Sequence, residues 1–148
     1  MSPAIQTANG MYTYSQIVHG RKLMDWASLV HQTKLKQNKW KYSAPKLGSF
    51  HLDTLVMCVG DLYKEIQTLE LQNTPENVEV AAYFVHLARQ KSVKWWSEQT
   101  PWVLDPYTYF QPKQPIDSNL SIVKYSELPE SEKEWCRNIA SIILDLMC

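Results

Sequence analysis

Four of the chain's eight prolines, Pro101, Pro106, Pro112 and Pro115, fall between Trp96 and Tyr125. A proline inside a helix removes a backbone donor and clashes with the preceding turn, so this span cannot be helical. It is interleaved with Trp102, Tyr107, Tyr109 and Phe110. Aromatic residues are scarce in disordered segments, and irregular spans of roughly 25 residues inside a domain usually carry function or disorder. The expectation is an ordered, extended loop over residues 97–125, wrapped on whatever the flanking segments build, with one short strand at Leu120–Lys124.

The flanking segments read as helices. From Phe50 the residues Leu52, Leu55, Val56, Val59, Leu62, Tyr63, Ile66 and Leu69 recur at three and four, the spacing of one helical face. Thr74-Pro75-Glu76 supplies a cap, a proline suited to the first turn and an acid at the positive end of the helix dipole. A helix is therefore predicted from there through Val78, Ala81, Ala82, Val85 and Ala88 toward Trp96. An earlier one should begin near Tyr14 and run past Trp26 and Val30 to Leu35, with Gly20 as its weak point. Pro129 fits the first position of a closing helix whose apolar residues are Trp135, Ile139, Ile142, Ile143 and Leu146. The fold class is mainly α: a small four-helix bundle with a long Pro/aromatic-rich loop, in one domain over residues 1–148. Residues 1–12 form a flexible or loosely docked lead. Leu55, Val59, Leu62, Ile66, Val85, Ile139, Ile142 and Leu146 should lie in the core.

Charge narrows the function classes. The chain is neutral, with 15 Lys and Arg against 15 Asp and Glu. Non-specific nucleic-acid binders carry a net basic surface, so nucleic acid is not the expected partner. The halves differ nonetheless: residues 1–50 hold seven cations against one acid, and residues 51–148 hold eight against fourteen. Cys58, Cys136 and Cys148 fit neither a paired disulfide framework nor a zinc spacing. No apolar run reaches membrane-spanning length and the N-terminus lacks a secretory pattern, so a cytoplasmic location is expected. There is no P-loop, Gly-x-Gly-x-x-Gly or nucleophile elbow, and only four glycines are present to build one. No cofactor is expected.

The candidate site lies where the third helix meets the loop. Trp95 and Trp96 precede the break at Thr100-Pro101, and Trp102 and Tyr107 follow it. Aromatic rings from both sides can then converge on a base, each stacked ring contributing roughly 1–3 kcal/mol. Arg89 lies two turns before Trp96 and carries the planar fork that meets a phosphate at two points; Lys91 and Lys94 follow it. Against this, the rings could simply pin the loop to the helices, and the cations could be a solvated face. Lys34, Lys36, Lys39, Trp40, Lys41, Tyr42 and Lys46 form a second mix of cations and aromatics, equally explained as a lysine-rich helix end. Asp61 with Glu65, and Glu76 with Glu79, are acidic pairs that could face each other across adjacent helices around Mg²⁺. This arrangement is similar to the metal sites of the all-α nucleoside triphosphate pyrophosphohydrolases. Dipole and capping preferences account for the second pair without a metal, and no metal site is assigned.

The closing segment resembles the second half of the ryanodine receptor repeat. Tyr125, Leu128-Pro129-Glu130, Glu132-Lys133, Arg137 and Ala140 keep that family's spacing, and Val80 through His86 stands where its early helix carries a Val-His motif. The likeness spans residues 79–147. The family's glycine-flanked tryptophan turn is replaced by Lys94-Trp95-Trp96-Ser97, and its His-Pro pair by Ser118-Asn119-Leu120. The resemblance implies a ligand-sensing module for a nucleotide-derived signal. The function expected first is therefore non-catalytic binding of a small phosphorylated nucleotide, for sensing or sequestration. An assembly subunit that uses exposed aromatics to hold a protein partner or a second copy comes next. A Mg²⁺-dependent nucleotide pyrophosphohydrolase ranks third.

Overall fold

A computed structural model describes residues 6–7, 10–39, 49–99, 102–103, 114–115 and 118–148. The chain is mainly helical. It opens with a strap in which Gln6 bridges Thr13 and the Thr7 amide donates to the Tyr12 carbonyl. A hairpin follows, with strands β1 (Ile17–Val18) and β2 (Arg21–Lys22) paired antiparallel. Its two turn residues, His19 and Gly20, both have positive φ, 48° and 77°. That combination is the tight turn matching the twist of paired strands. The helix expected from Tyr14 thus begins later, as α1 (Leu23–Gln37), because Gly20 turns a hairpin instead of weakening a helix. Trp26 anchors the joint, its indole N–H donating to the Val18 carbonyl at 2.8 Å.

Helix α2 (Ser49–Leu69) and helix α3 (Pro75–Gln99) meet expectation. The Thr74 hydroxyl accepts the Asn77 amide at 3.3 Å, which satisfies one of the donors that every helix N-terminus leaves open. After α3 comes an antiparallel pair of short strands, β3 (Trp102–Val103) and β4 (Gln114–Pro115). The strand expected at Leu120–Lys124 is not formed. A 3-10 turn, Ser118–Ser121, stands there, and a second, Tyr125–Glu127, leads into α4 (Glu130–Met147). Pro129 sits one position before the helix, its carbonyl accepting the amides of Glu132 and Lys133. Of the loop expected over residues 97–125, residues 97–99 belong to α3, and 100–101, 104–113 and 116–117 lie outside the described residues.

The helices form a ring in which α1 touches α2 and α4, and α3 touches the same two from the other side. One continuous core results, led by Leu23, Trp26, Val30, Leu55, Val59, Leu62, Val85, Ile139 and Ile143. Seven of the eight expected core residues are buried or packed against it, Ile66 by partial burial. Leu146 is the exception at 38% exposure. It opens onto a groove with Thr33, Gln37 and Ser141 between α1 and α4, while Leu144 and Met147 close that end of the core. Cys58 and Cys136 are buried and Cys148 is exposed.

Helix α2 is buried on every side from Asp53 to Gly60. Its fourth side is covered by the strap: Tyr14 donates its hydroxyl to Asp53, Tyr12 donates to Asp61, and the Tyr12 ring lies on Gly60. A Cβ at Gly60 would meet that ring at 2.6 Å. The lead anticipated as loose up to residue 12 is therefore docked at Tyr12.

Two substitutions check this packing. Ile142→Ala should cost about 2–5 kcal/mol in urea denaturation, whereas Leu146→Ala should cost below about 1 kcal/mol; equal losses would mean that α4 is rotated from the register described. Gly60→Ala should destabilise by about 1–3 kcal/mol through overpacking, although alanine is the better helix former. The same substitution in a Tyr12→Ala background should be neutral or stabilising.

Candidate functional site

Helix α3 presents three faces, and the candidate residues are shared among them. Toward α2, Trp95 and Trp96 meet edge to face with ring centroids 5.2 Å apart. The Trp96 indole donates to the Asp53 Oδ2 atom at 3.1 Å, and Phe50 packs on it at 6.3 Å. Asp53 is buried and thus receives donors from Trp96 and from Tyr14 of the strap, as a carboxylate removed from water requires. Trp96 thus joins α3 to α2. Trp102 begins β3. Tyr107, with Tyr109 and Phe110, lies outside the described residues, as do Trp40, Lys41, Tyr42 and Lys46 of the second cation–aromatic group.

Toward α4, Arg89 is 9% exposed. It forms an ion pair with Glu132 and its guanidinium lies over the Trp135 ring, 4.5 Å from the centroid. A phosphate at Arg89 would meet the Glu132 carboxylate already paired with it. One turn away, His86 Nε2 donates to the Val123 carbonyl at 2.7 Å, and the Gln90 amide donates to the carbonyls of Leu120 and Val123. These bonds fix the segment between the two 3-10 turns against α3. Glu79 pairs with Arg137, which also reaches Glu130 and Glu134, and Tyr125 donates its hydroxyl to Glu79. Burial pushes the Tyr125 phenol up to about 12, with the neighbouring Glu79 carboxylate adding to it.

Toward solvent, the outer face of α3 floors a cleft in two lobes. One, about 550 Å³, is lined by Lys64, Lys91 and Lys94 with Asp61, Glu65 and Phe84. The other, about 520 Å³, is lined by Tyr83, His86, Tyr125, Ile122, Lys124 and Ser126. Leu87, Gln90 and Ser121 border both, so the lobes adjoin. Tyr83 and Tyr125 meet edge to face at 6.4 Å. In the first lobe Asp61 is shared, accepting from Tyr12 at one oxygen and from Lys91 at the other, 2.9 Å away. Lys64 lies over the Tyr12 ring at 5.0 Å.

The structure thus brings Trp95 and Trp96 together but directs Arg89 to a different neighbour. Sequence reasoning noted Lys91 and Lys94 and passed over Tyr83, Gln90 and Tyr125. The helical spacing of Tyr83, Leu87, Lys91 and Lys94 is the signal that could have found one wall of the cleft; nothing local links that wall to Tyr125. The acidic pairs considered for Mg²⁺ do not converge: Asp61 is held by Tyr12 and Lys91, and Glu79 by Arg137 and Tyr125. Among the described residues no three His, Cys, Asp or Glu side chains are grouped to hold a metal ion, and no helix is long and apolar enough to cross a membrane.

His86 generates a pH dependence. Burial holds its imidazole below the usual value; Arg89 lowers it further, while the Val123 carbonyl and Glu132 oppose the shift. Below about pH 6.5 the unfolded chain takes up a proton that the folded ring resists. Stability should then fall as pH drops from 7 toward 5, and the fall should be shallower in His86→Gln, followed by thermal melts at each pH. An identical slope in both proteins would show that His86 is not the group responsible.

Comparisons with protein-family models, with curated proteins and with solved structures find no match to this chain.

Proposed function

We propose that the protein binds a small phosphorylated nucleotide without transforming it, in the two-lobed cleft on the outer face of α3. The observation that carries this reading is the adjacency of a lysine lobe to an aromatic lobe of similar size across Leu87, Gln90 and Ser121. Ligand sites are concave, of roughly 300–1,000 Å³, mostly apolar with a few convergent polar groups, and each lobe has that scale. Ammonium groups at one end suit phosphate, and the faces of Tyr83 and Tyr125 at the other suit a base. The resemblance of residues 79–147 to the ryanodine receptor repeat supports the same reading, with signal sensing or sequestration as the biological role. A non-catalytic role accords with Asp61, whose two oxygens are committed to the Tyr12 phenol and to Lys91.

A second reading is favoured by one specific observation. Ile122 is 78% exposed and Tyr83 45%, with Val80 also exposed on the same helix. Apolar side chains grouped this way at a surface suit a protein interface. The two readings therefore compete for one place on the molecule.

Small molecules released by heating the purified protein, identified by mass spectrometry, should include a nucleotide at near-stoichiometric amount, and calorimetric titration should return it to the emptied protein. Lys94→Ala and Tyr83→Ala should each weaken that binding about ten- to a hundredfold, the effect of losing one charge-assisted or stacking contact of roughly 1.5–3 kcal/mol. Trp96→Ala and Arg89→Lys serve as the comparison. Loss in those two with none in Lys94→Ala would move the ligand to the tryptophan end of α3. No nucleotide, with a polypeptide released by Ile122→Asp, would decide for the interface.

A further inference from the structure

The lysine lobe is not a simple basic pocket. Its described lining sets three ammonium groups, Lys64, Lys91 and Lys94, against two carboxylates, Asp61 and Glu65. Asp61 already neutralises Lys91 at 2.9 Å, and its other oxygen is occupied by the Tyr12 hydroxyl. Asp61 cannot turn away from the lobe without giving up the bond that docks the strap, and the Tyr12 ring that carries this hydroxyl is seated on Gly60. The carboxylate is thus a built part of the wall. The surplus positive charge of this lining is a single unit.

Resting on the nucleotide reading above, we infer that the lysine lobe selects a phosphodiester, with its single negative charge, over the terminal chain of a di- or triphosphate. A diester matches the surplus: it lies between Lys94 and Lys64 and leaves the Lys91–Asp61 pair intact. A polyphosphate brings several charges into a space that already holds two carboxylates, and like charges brought together across an interface are strongly unfavourable. Asp61 and Glu65 are the specificity-determining residues, acting by repulsion rather than by contact, a common means of rejecting a near relative of the ligand. A diester also joins two sugar-bearing groups, which accords with an aromatic lobe adjoining the lysine lobe and not separated from it.

The test is calorimetric titration at fixed ionic strength, without divalent cations, using a linear dinucleoside monophosphate, AMP, ADP and ATP. The wild type should bind the diester roughly tenfold or more tightly than ATP, and Glu65→Gln should narrow that ratio by raising affinity for ATP. Asp61→Asn should narrow it further; the amide oxygen still accepts from Tyr12, and a thermal melt reports whether the strap has stayed docked. A strap role alone for Asp61 would lower the affinity for every ligand in proportion and leave the ratio unchanged. Tighter binding of ATP by the wild type, or a ratio unmoved by both substitutions, overturns the selection while leaving nucleotide binding in place. Failure of all four ligands to bind removes the nucleotide reading itself, and the selection with it.

Discussion

The enclosure of α2 is the constraint on which the rest of the structure depends. Eight consecutive residues, Asp53 to Gly60, are withdrawn from water, yet the neighbouring helices cover only part of the circumference of α2. The remaining side is closed by the strap through Tyr12 and Tyr14, whose phenols end on Asp61 and Asp53. Burial raises both phenols well above the usual tyrosine range, and the adjoining carboxylates add to it. The hydroxyls therefore stay protonated and continue to donate across the ordinary pH range. The small glycine at position 60 is what lets a tyrosine ring lie this close to the helix backbone.

From that arrangement follows the division of labour on α3. Its side toward α2 is closed by small residues and by the Thr54–Ser92 hydroxyl pair at 2.8 Å, and is sealed at its far end by Trp96 on Asp53. Its side toward α4 carries the Arg89–Glu132 pair over Trp135. Such a pair gains from stacking and loses from desolvation, and the buried Arg89 left alone would be costly. The outer side is left for the cleft. The strap contributes Met11 and, through Tyr12, orders Asp61 in the lysine lobe, so the same contact that shields α2 also shapes the place proposed for the ligand.

Local patterns were legible wherever the structure is local. The stripe of α2, the Thr74 cap and the helical periodicity of α3 and α4 all lie within a few turns of chain, and there the reading and the structure agree. The hairpin at Ile17–Lys22 was missed because its strands are two residues long, too short for an alternating pattern, and apolar residues at Leu23 and Trp26 extended the helical spacing backward. Leu146 was misplaced because periodicity assigns a face but not where the neighbouring helix stops covering it. The cleft was legible only in part: Lys91 and Lys94 share a helix, whereas Tyr83 and Tyr125 meet across 41 intervening positions. Arg89 carries the planar fork that suits an anion, and the anion the fold gives it is Glu132 of the same chain, a partner that no local pattern announces.

The three cysteines set a practical property of the molecule. Thiolates are the species that react with alkylating reagents. Burial holds the Cys58 thiol well above its ordinary value and Cys136 at about 11, and neither sulfur is reachable in the folded state. Cys148 is exposed, its thiol resting on the Leu71 carbonyl at the junction between α2 and α3. A maleimide dye or spin label applied to the native protein would therefore mark a single position, one that does not line the cleft, while labelling of the other two would count the molecules that have opened.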